Sequence, residues 1–117
     1  MPGFPPMPQY KMVVLSNPVA GREQECEQWY EHVHIKDMLT FPAFKSAQRF
    51  SLAHPVAEAN PYQYLAIYEI VTDDIQSVVQ ELVDRAESGN LPVSEALDAA
   101  NAYAVIYDAN GEPVHSL

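Results

Sequence analysis

A chain of 117 residues with 48% apolar content has room for one domain and enough material for its core. Sixteen acidic against six basic residues leave a net charge of −10, which argues against a nucleic-acid backbone or an anionic membrane as partner, since both require a basic face. The lone cysteine, Cys26, excludes an intramolecular disulfide, fits a reducing compartment, and reads as a buried core thiol rather than a nucleophile.

The opening "MPGFPPMPQ" has neither the basic nor the apolar region of a signal peptide, so residues 1–9 read as an extended Pro-rich leader and 10–117 as a single domain. No apolar run approaches the roughly 18 residues of a membrane span, and a cytoplasmic protein is the expectation. "YKMVVLSN", 10–17, alternates and is rich in β-branched residues, which predicts a first strand. "NPVAGRE" is a turn. From Arg22 the pattern becomes helical, with Cys26, Trp29, Tyr30 and Val33 recurring on one face, and Pro42 ends the run.

"FKSAQRFSLA", 44–53, predicts a second strand with Phe44, Ser46, Gln48, Phe50 and Leu52 on one face and Lys45, Ala47, Arg49 and Ser51 on the other. "HPVAEANP" is a loop punctuated by Pro55 and Pro61. "YQYLAIYEI", 62–70, is the third strand, with Tyr62, Tyr64, Ala66, Tyr68 and Ile70 pointing one way. "TDDIQSVVQELVDRAESGN" predicts a second helix, with Asp73 as N-cap, Gln76 in the capping-box position and Gly89 at the C-terminal stop. "PVSEALDAAN" reads as a short third helix capped by Ser94, and "AYAVIYDA", 102–109, as the fourth strand.

The order β-α-β-β-α-β is the ferredoxin-like α+β arrangement, an antiparallel four-stranded sheet with helices on one face. Its uncovered face would expose more apolar surface than a monomer usually tolerates, so a homodimer that pairs two sheets is expected.

The chemistry concentrates in "WYEHVHIKDMLTFPAF", 29–44. On a regular helix His34 lies above Tyr30 at the flank of the apolar stripe, and His32 faces solvent. A straight helix would bring Asp37 back into the middle of the apolar face, where an unpaired carboxylate costs several kcal/mol. Either the helix breaks near Ile35-Lys36 or Asp37 has a partner, for which His34 is the nearest candidate. A carboxylate beside an imidazole raises its basicity and fixes its tautomer, as a general base requires. A histidine flanking a helix stripe is also, and more often, a structural hydrogen-bonder. Metal ligation by His32 and His34 together is not expected, because residues two apart on a helix diverge. Arg49, with Lys36 and Lys45, sets half of the chain's positive charges near the stretch, a bias toward an anionic or enolate-like ligand.

"SNPVAGREQECEQWYEHVHIKDMLTFPAFKSAQRFSLA", 16–53, resembles the dimeric α+β barrel superfamily and within it EthD-type proteins, through an aromatic-x-x-x-His pattern (Tyr30 and His34) and a turn into strand two (Pro42-Ala43-Phe44). "YLAIYEI" and "EALDAANAYAVIYDA" resemble the later part of such proteins. Lys36 stands where proline is usual and Ala43 where glycine is usual. The resemblance implies a ferredoxin-like monomer paired into a barrel. Related barrels include polyketide cyclases, lactone isomerases, haem-degrading monooxygenases and accessory proteins of cytochrome monooxygenases.

The expectation that follows is a small, cofactor-independent enzyme catalysing cyclisation, dehydration or isomerisation of an aromatic, polycyclic or lactone-like compound. His34 is the candidate base or acid, Asp37 its orienter and Tyr30 a hydrogen-bond donor to a developing enolate, with Trp29, Arg49, Tyr64, Tyr68 and Tyr107 as substrate-binding residues. The alternatives are a non-catalytic binding or accessory protein using the same pocket, and haem oxygenation through His34 or His54.

Overall fold

Alternation along the first strand sets the frame. In the computed structural model, which describes residues 7–59 and 62–117, β1 (Gln9–Ser16) directs Tyr10, Met12, Val14 and Ser16 toward the helices. β2 (Phe44–Ser51), β3 (Tyr64–Val71) and β4 (Tyr103–Asp108) complete one antiparallel sheet in the order β2-β3-β1-β4. β1 and β3 pair over their full lengths, Gln9 opposite Val71 and Ser16 opposite Tyr64. This is the expected ferredoxin-like α+β order. The leader expected over residues 1–9 lies outside the described residues except for 7–9, and Gln9 already belongs to β1. Asn60 and Pro61, in the predicted loop, also lie outside them.

A helical run crosses the sheet between β1 and β2. It consists of α1 (Glu23–Trp29), one π-helical turn (Tyr30–His34) and α2 (Ile35–Met38). The Ile35 N–H donates to the carbonyl of Tyr30, five residues back, which lodges one extra residue in the turn. That residue resolves the placement of Asp37. Met38, not Asp37, is buried, while Asp37 stays at the margin of the core and Val33, expected on the inner face, is 40% exposed.

α3 (Ile75–Glu87) covers the β1–β4 side through Val78, Ile75 and Leu82, and Gly89 at φ +83° ends it as predicted. The N-cap is Asp74 rather than Asp73. Its Oδ1 accepts from the Ser77 N–H at 3.2 Å and its Oδ2 from the Ser77 hydroxyl at 2.6 Å.

Two further differences have physical causes. Residue 45 is a bulge between Phe44, opposite Ile70, and Ser46, opposite Glu69, so Phe44 joins Ala47 and Arg49 on the helix-covered face instead of Ser46 and Gln48. The third helix does not form, because the backbone around it is committed elsewhere. Val19 N–H donates to the Ala96 carbonyl at 2.7 Å, Pro18 bridges Leu97, and Ser94 Oγ accepts from the Ala96 N–H. Only a 3₁₀ turn, Ala99–Asn101, remains.

The core is Met12, Tyr30, Met38, Phe41, Phe44, Ala66, Tyr68, Ile70 and Val78, between helices and sheet, with Cys26 fully buried beside it. The molecule is 21 Å through its shortest dimension, the thickness of two layers. The other sheet face therefore carries Val13, Leu15, Leu65, Ile67 and Val105 with Phe50, Tyr103 and Tyr107 at its borders, and no helix among the described residues covers it. Because Asp74 holds the first turn of α3, Asp74→Ala is expected to lower the midpoint of urea unfolding, whereas Asp73→Ala leaves it unchanged.

Candidate functional site

The π turn gathers an aromatic cluster against β2, β3 and β1. Tyr30 is buried, and His34 sits edge-on to it with ring centres 5.2 Å apart and planes at 90°. Trp29 stacks on His34 at 4.7 Å and 24° and meets Tyr30 at 5.2 Å. From β2, the Arg49 guanidinium lies 4.4 Å from the centre of the Tyr30 ring and 5.4 Å from that of Tyr64. Glu27, one turn before Tyr30, binds Arg49 through both carboxylate oxygens, at 2.5 and 3.3 Å. From β3, Tyr68 lies fully buried beneath Tyr30.

Burial sets the protonation states. His34 falls from its ordinary value near 6.5 to about 4, because burial disfavours the imidazolium; the charge of Asp37 offsets part of this. The ring is therefore neutral at pH 7, and its buried Nδ1 has no hydrogen-bond partner. Asp37 acts on it through charge alone. Burial also raises the phenols of Tyr30 and Tyr68, with Arg49 opposing in both, so they are hydroxyl donors rather than phenolates. For Arg49, burial works against the charge and the Glu27 carboxylate outweighs it, leaving its pKa above the ordinary value. The hydroxyls of Ser16 and Tyr68 lie close enough to the Tyr30 phenol to lower its pKa as hydrogen-bond donors do, but neither meets the distance and angles of a formed hydrogen bond.

The fold thus brings together Trp29, Tyr30, His34, Arg49, Tyr64 and Tyr68, with Asp37 next to His34. Tyr107 is not among them. It stands opposite Lys11 on the other sheet face, 58% exposed. The sequence reading missed Glu27 and Ser16. Nothing in spacing links Glu27 to Arg49, but Ser16 falls on the inward parity of β1, where a hydroxyl among apolar neighbours is a signal. His32 is exposed, and His54 lies exposed in the β2–β3 loop, its ring Nδ1 beside the Pro55 carbonyl. Among the described residues no group of three or more His, Cys, Asp or Glu is gathered to hold a metal ion.

Two clefts are prominent among the described residues, and neither includes His34. One, of about 630 Å³, lies where Met7–Lys11 pass the ends of β3 and β4, and is lined by Tyr107 as well as Tyr10 and Glu69. The other, of about 370 Å³, is aliphatic and lies between α3 and β4. The aromatic cluster is packed on itself.

Two solved structures share this architecture. A protein of Shewanella loihica PV-4 described as a "putative monooxygenase" superposes with a TM-score of 0.60 at 16% identity, over 91% of this chain and 98% of that one. An ethyl tert-butyl ether D (EthD) family protein of Bacillus halodurans C-125 gives 0.60 at 10% identity, over 87% and 99%. The chain has an EthD-like fold. No family model and no curated protein matches it in sequence, and no helix among the described residues is long and apolar enough to cross a membrane.

Within this EthD-like fold the low basicity of His34 has a measurable consequence. A folded-state value of about 4 against about 6.5 unfolded means that the unfolded chain binds the proton first as pH falls. Stability from this group is therefore fully present above pH 6.5 and is lost progressively down to about pH 4, by about 3 kcal/mol at most. Trp29, the chain's single tryptophan, stacks on the ring and reports its charge. Trp29 emission is expected to titrate with a midpoint near pH 4, and His34→Gln to abolish that transition and flatten the acid loss of stability.

Proposed function

We propose that this chain is a small, cofactor-independent enzyme that moves a proton on an aromatic, polycyclic or lactone-like compound, in a cyclisation, dehydration or isomerisation. The observation that carries the reading is His34: a neutral imidazole with an unpartnered, buried Nδ1, set on a π turn among aromatic rings. Single π turns inside α-helices recur at functional sites, because they hold a side chain where a regular helix would not. His34 is the base or acid and Asp37 tunes it by charge. Tyr30 and Tyr68 donate to the oxygen that gains charge, Trp29 and Tyr64 offer flat apolar walls, and Arg49 supplies positive potential.

A base with a pKa near 4 is a weak one, and proton transfer is fastest when donor and acceptor are matched. The reading therefore favours substrates whose C–H or O–H is unusually acidic, such as a position flanked by a carbonyl and an aromatic ring. The neighbour described as a "putative monooxygenase" makes oxygen uptake a second readout in any substrate screen. The tight packing around His34 favours a second reading, an accessory protein that binds such compounds without turning them over.

A cytoplasmic homodimer is part of the proposal. The uncovered sheet face, bordered by Phe50, Tyr103 and Tyr107, is where a second copy would pair, and Tyr107 then serves the subunit contact rather than the substrate. The free, buried Cys26 suits a reducing compartment.

In a screen of hydroxylated aromatic ketones and lactones, His34→Ala is expected to cut turnover at least about 100-fold while circular dichroism and oligomeric state stay unchanged. A His34→Ala protein as active as the parent overturns the catalytic reading, and binding without turnover in the parent supports the accessory one. Sedimentation is expected to give twice the chain mass, with Ile67→Lys shifting it toward one chain mass.

A further inference from the structure

Three buried polar side-chain atoms among the described residues lack a hydrogen-bond partner: Ser16 Oγ, His34 Nδ1 and Tyr68 Oη. Buried hydroxyls are almost always partnered, because an unmet one costs about 1–3 kcal/mol. Ser16 and Tyr68 are 1% and 0% exposed, so bulk water does not satisfy them. Nor are they scattered. They sit on paired strands, β1 and β3, on the helix-covered face, and both hydroxyls bear on the phenol of Tyr30 packed against them. The Arg49 guanidinium, 4.4 Å from the Tyr30 ring centre, still favours negative charge at the Tyr30 hydroxyl although Glu27 neutralises much of it. Each of the three hydroxyls has a proton to donate.

We propose that Ser16 Oγ, Tyr30 Oη and Tyr68 Oη together form a donor site for one oxygen atom of the substrate, a carbonyl that becomes an enolate or a phenol that becomes a phenolate. The proposal rests on the proton-transfer reading above and narrows it. The substrate carries that oxygen conjugated to the acidic position. His34 takes the proton, the electron pair of the broken C–H or O–H bond moves onto the conjugated oxygen, and the charge arriving there meets three donors and the field of Arg49. Ser16 enters the site as a binding residue that neither the aromatic pattern nor the His34 motif indicates. The hydroxyls are buried beside the stacked rings of Trp29 and His34, so a ligand reaches them by swinging those two side chains aside, which unstacks Trp29 from His34 while Tyr30 stays in the core.

Orphaned hydroxyls kept for a ligand leave a thermodynamic signature. Removing them should not harm the free protein but should weaken the ligand. The probe is para-nitrophenol, whose phenolate absorbs in the visible. The parent is expected to bind the phenolate in preference to the phenol, lowering the probe's apparent pKa by about one unit, and to change Trp29 emission on binding. Ser16→Ala and Tyr68→Phe are each expected to weaken phenolate binding about tenfold, one charged hydrogen bond's worth, while the melting temperature of the free protein stays level or rises. Unaltered affinity in both variants overturns the proposal, as does a clear fall in melting temperature, which would mark the hydroxyls as structural. His34→Ala separates the two readings. Probe binding that survives it, with Ser16 and Tyr68 still required, supports the oxygen site even where no turnover is found. Probe binding indifferent to Ser16 and Tyr68 removes the oxygen site alone and leaves the His34 assignment standing.

Discussion

One extra residue in the helix that crosses the sheet governs the rest of the site. The hydrogen bond from the Ile35 N–H to the Tyr30 carbonyl spans five residues instead of four, which turns everything after it by roughly one residue's rotation. Before the turn, Cys26 and Tyr30 face the core; after it, Met38 does. Without the insertion Asp37 would take the place of Met38. Burying Met38 gains about 1.5–3 kcal/mol, and the alternative would strand a carboxylate at a cost of several kcal/mol. The same rotation leaves Val33 outside and tucks His34 between Trp29 and Tyr30. The helix is irregular where chemistry is concentrated because only the irregular form satisfies both ends of it.

The electrostatic character of the site follows from that burial. The imidazole and the phenols inside are all driven toward their neutral forms. The full charges are held at the rim, by the pairing of Arg49 with Glu27 and by Asp37. A neutral interior ringed by a positive group over aromatic faces does little for a charged ground state. It can stabilise charge that appears only during reaction, which is the differential that catalysis requires. Glu27 keeps Arg49 from being an open anion trap. It holds the guanidinium across Tyr30 and Tyr64 while consuming much of its charge locally.

Much of this architecture could be read from the residues, and the failures share a cause. Strands were legible wherever one face is buried, since alternation then leaves a record, as in "YLAIYEI". Tyr30 and His34 were legible as a pair four residues apart. What could not be read were insertions of a single residue, the bulge at residue 45 and the π turn, because each changes parity without changing composition. The misfit of Asp37 was the visible symptom of the second. The missing third helix failed differently: "PVSEALDAAN" has helical composition, but its backbone is taken by Pro18 and Val19, nearly 80 residues earlier. Glu27 belongs with that failure, since its significance lies in Arg49 on another element, whereas Ser16 was readable from its inward parity on β1.

The two faces of the sheet divide the labour, and the central strands join them. β1 and β3 present Ser16 and Tyr68 to the helices while their alternate residues, Val13, Leu15, Leu65 and Ile67, form the middle of the uncovered face. A side chain on one face cannot move without its strand, and the strand carries the neighbouring side chain on the other face. Pairing of two copies across the uncovered face would therefore clamp the very strands that hold the hydroxyls, although it touches none of them. The helical segment above is anchored in the core by Tyr30 and Met38. It contributes Trp29 from the end of α1 and Tyr30 and His34 from the π turn. On the proposed reading, a flat ligand would enter by displacing the stacked rings of Trp29 and His34 while the strand-borne hydroxyls stay in place.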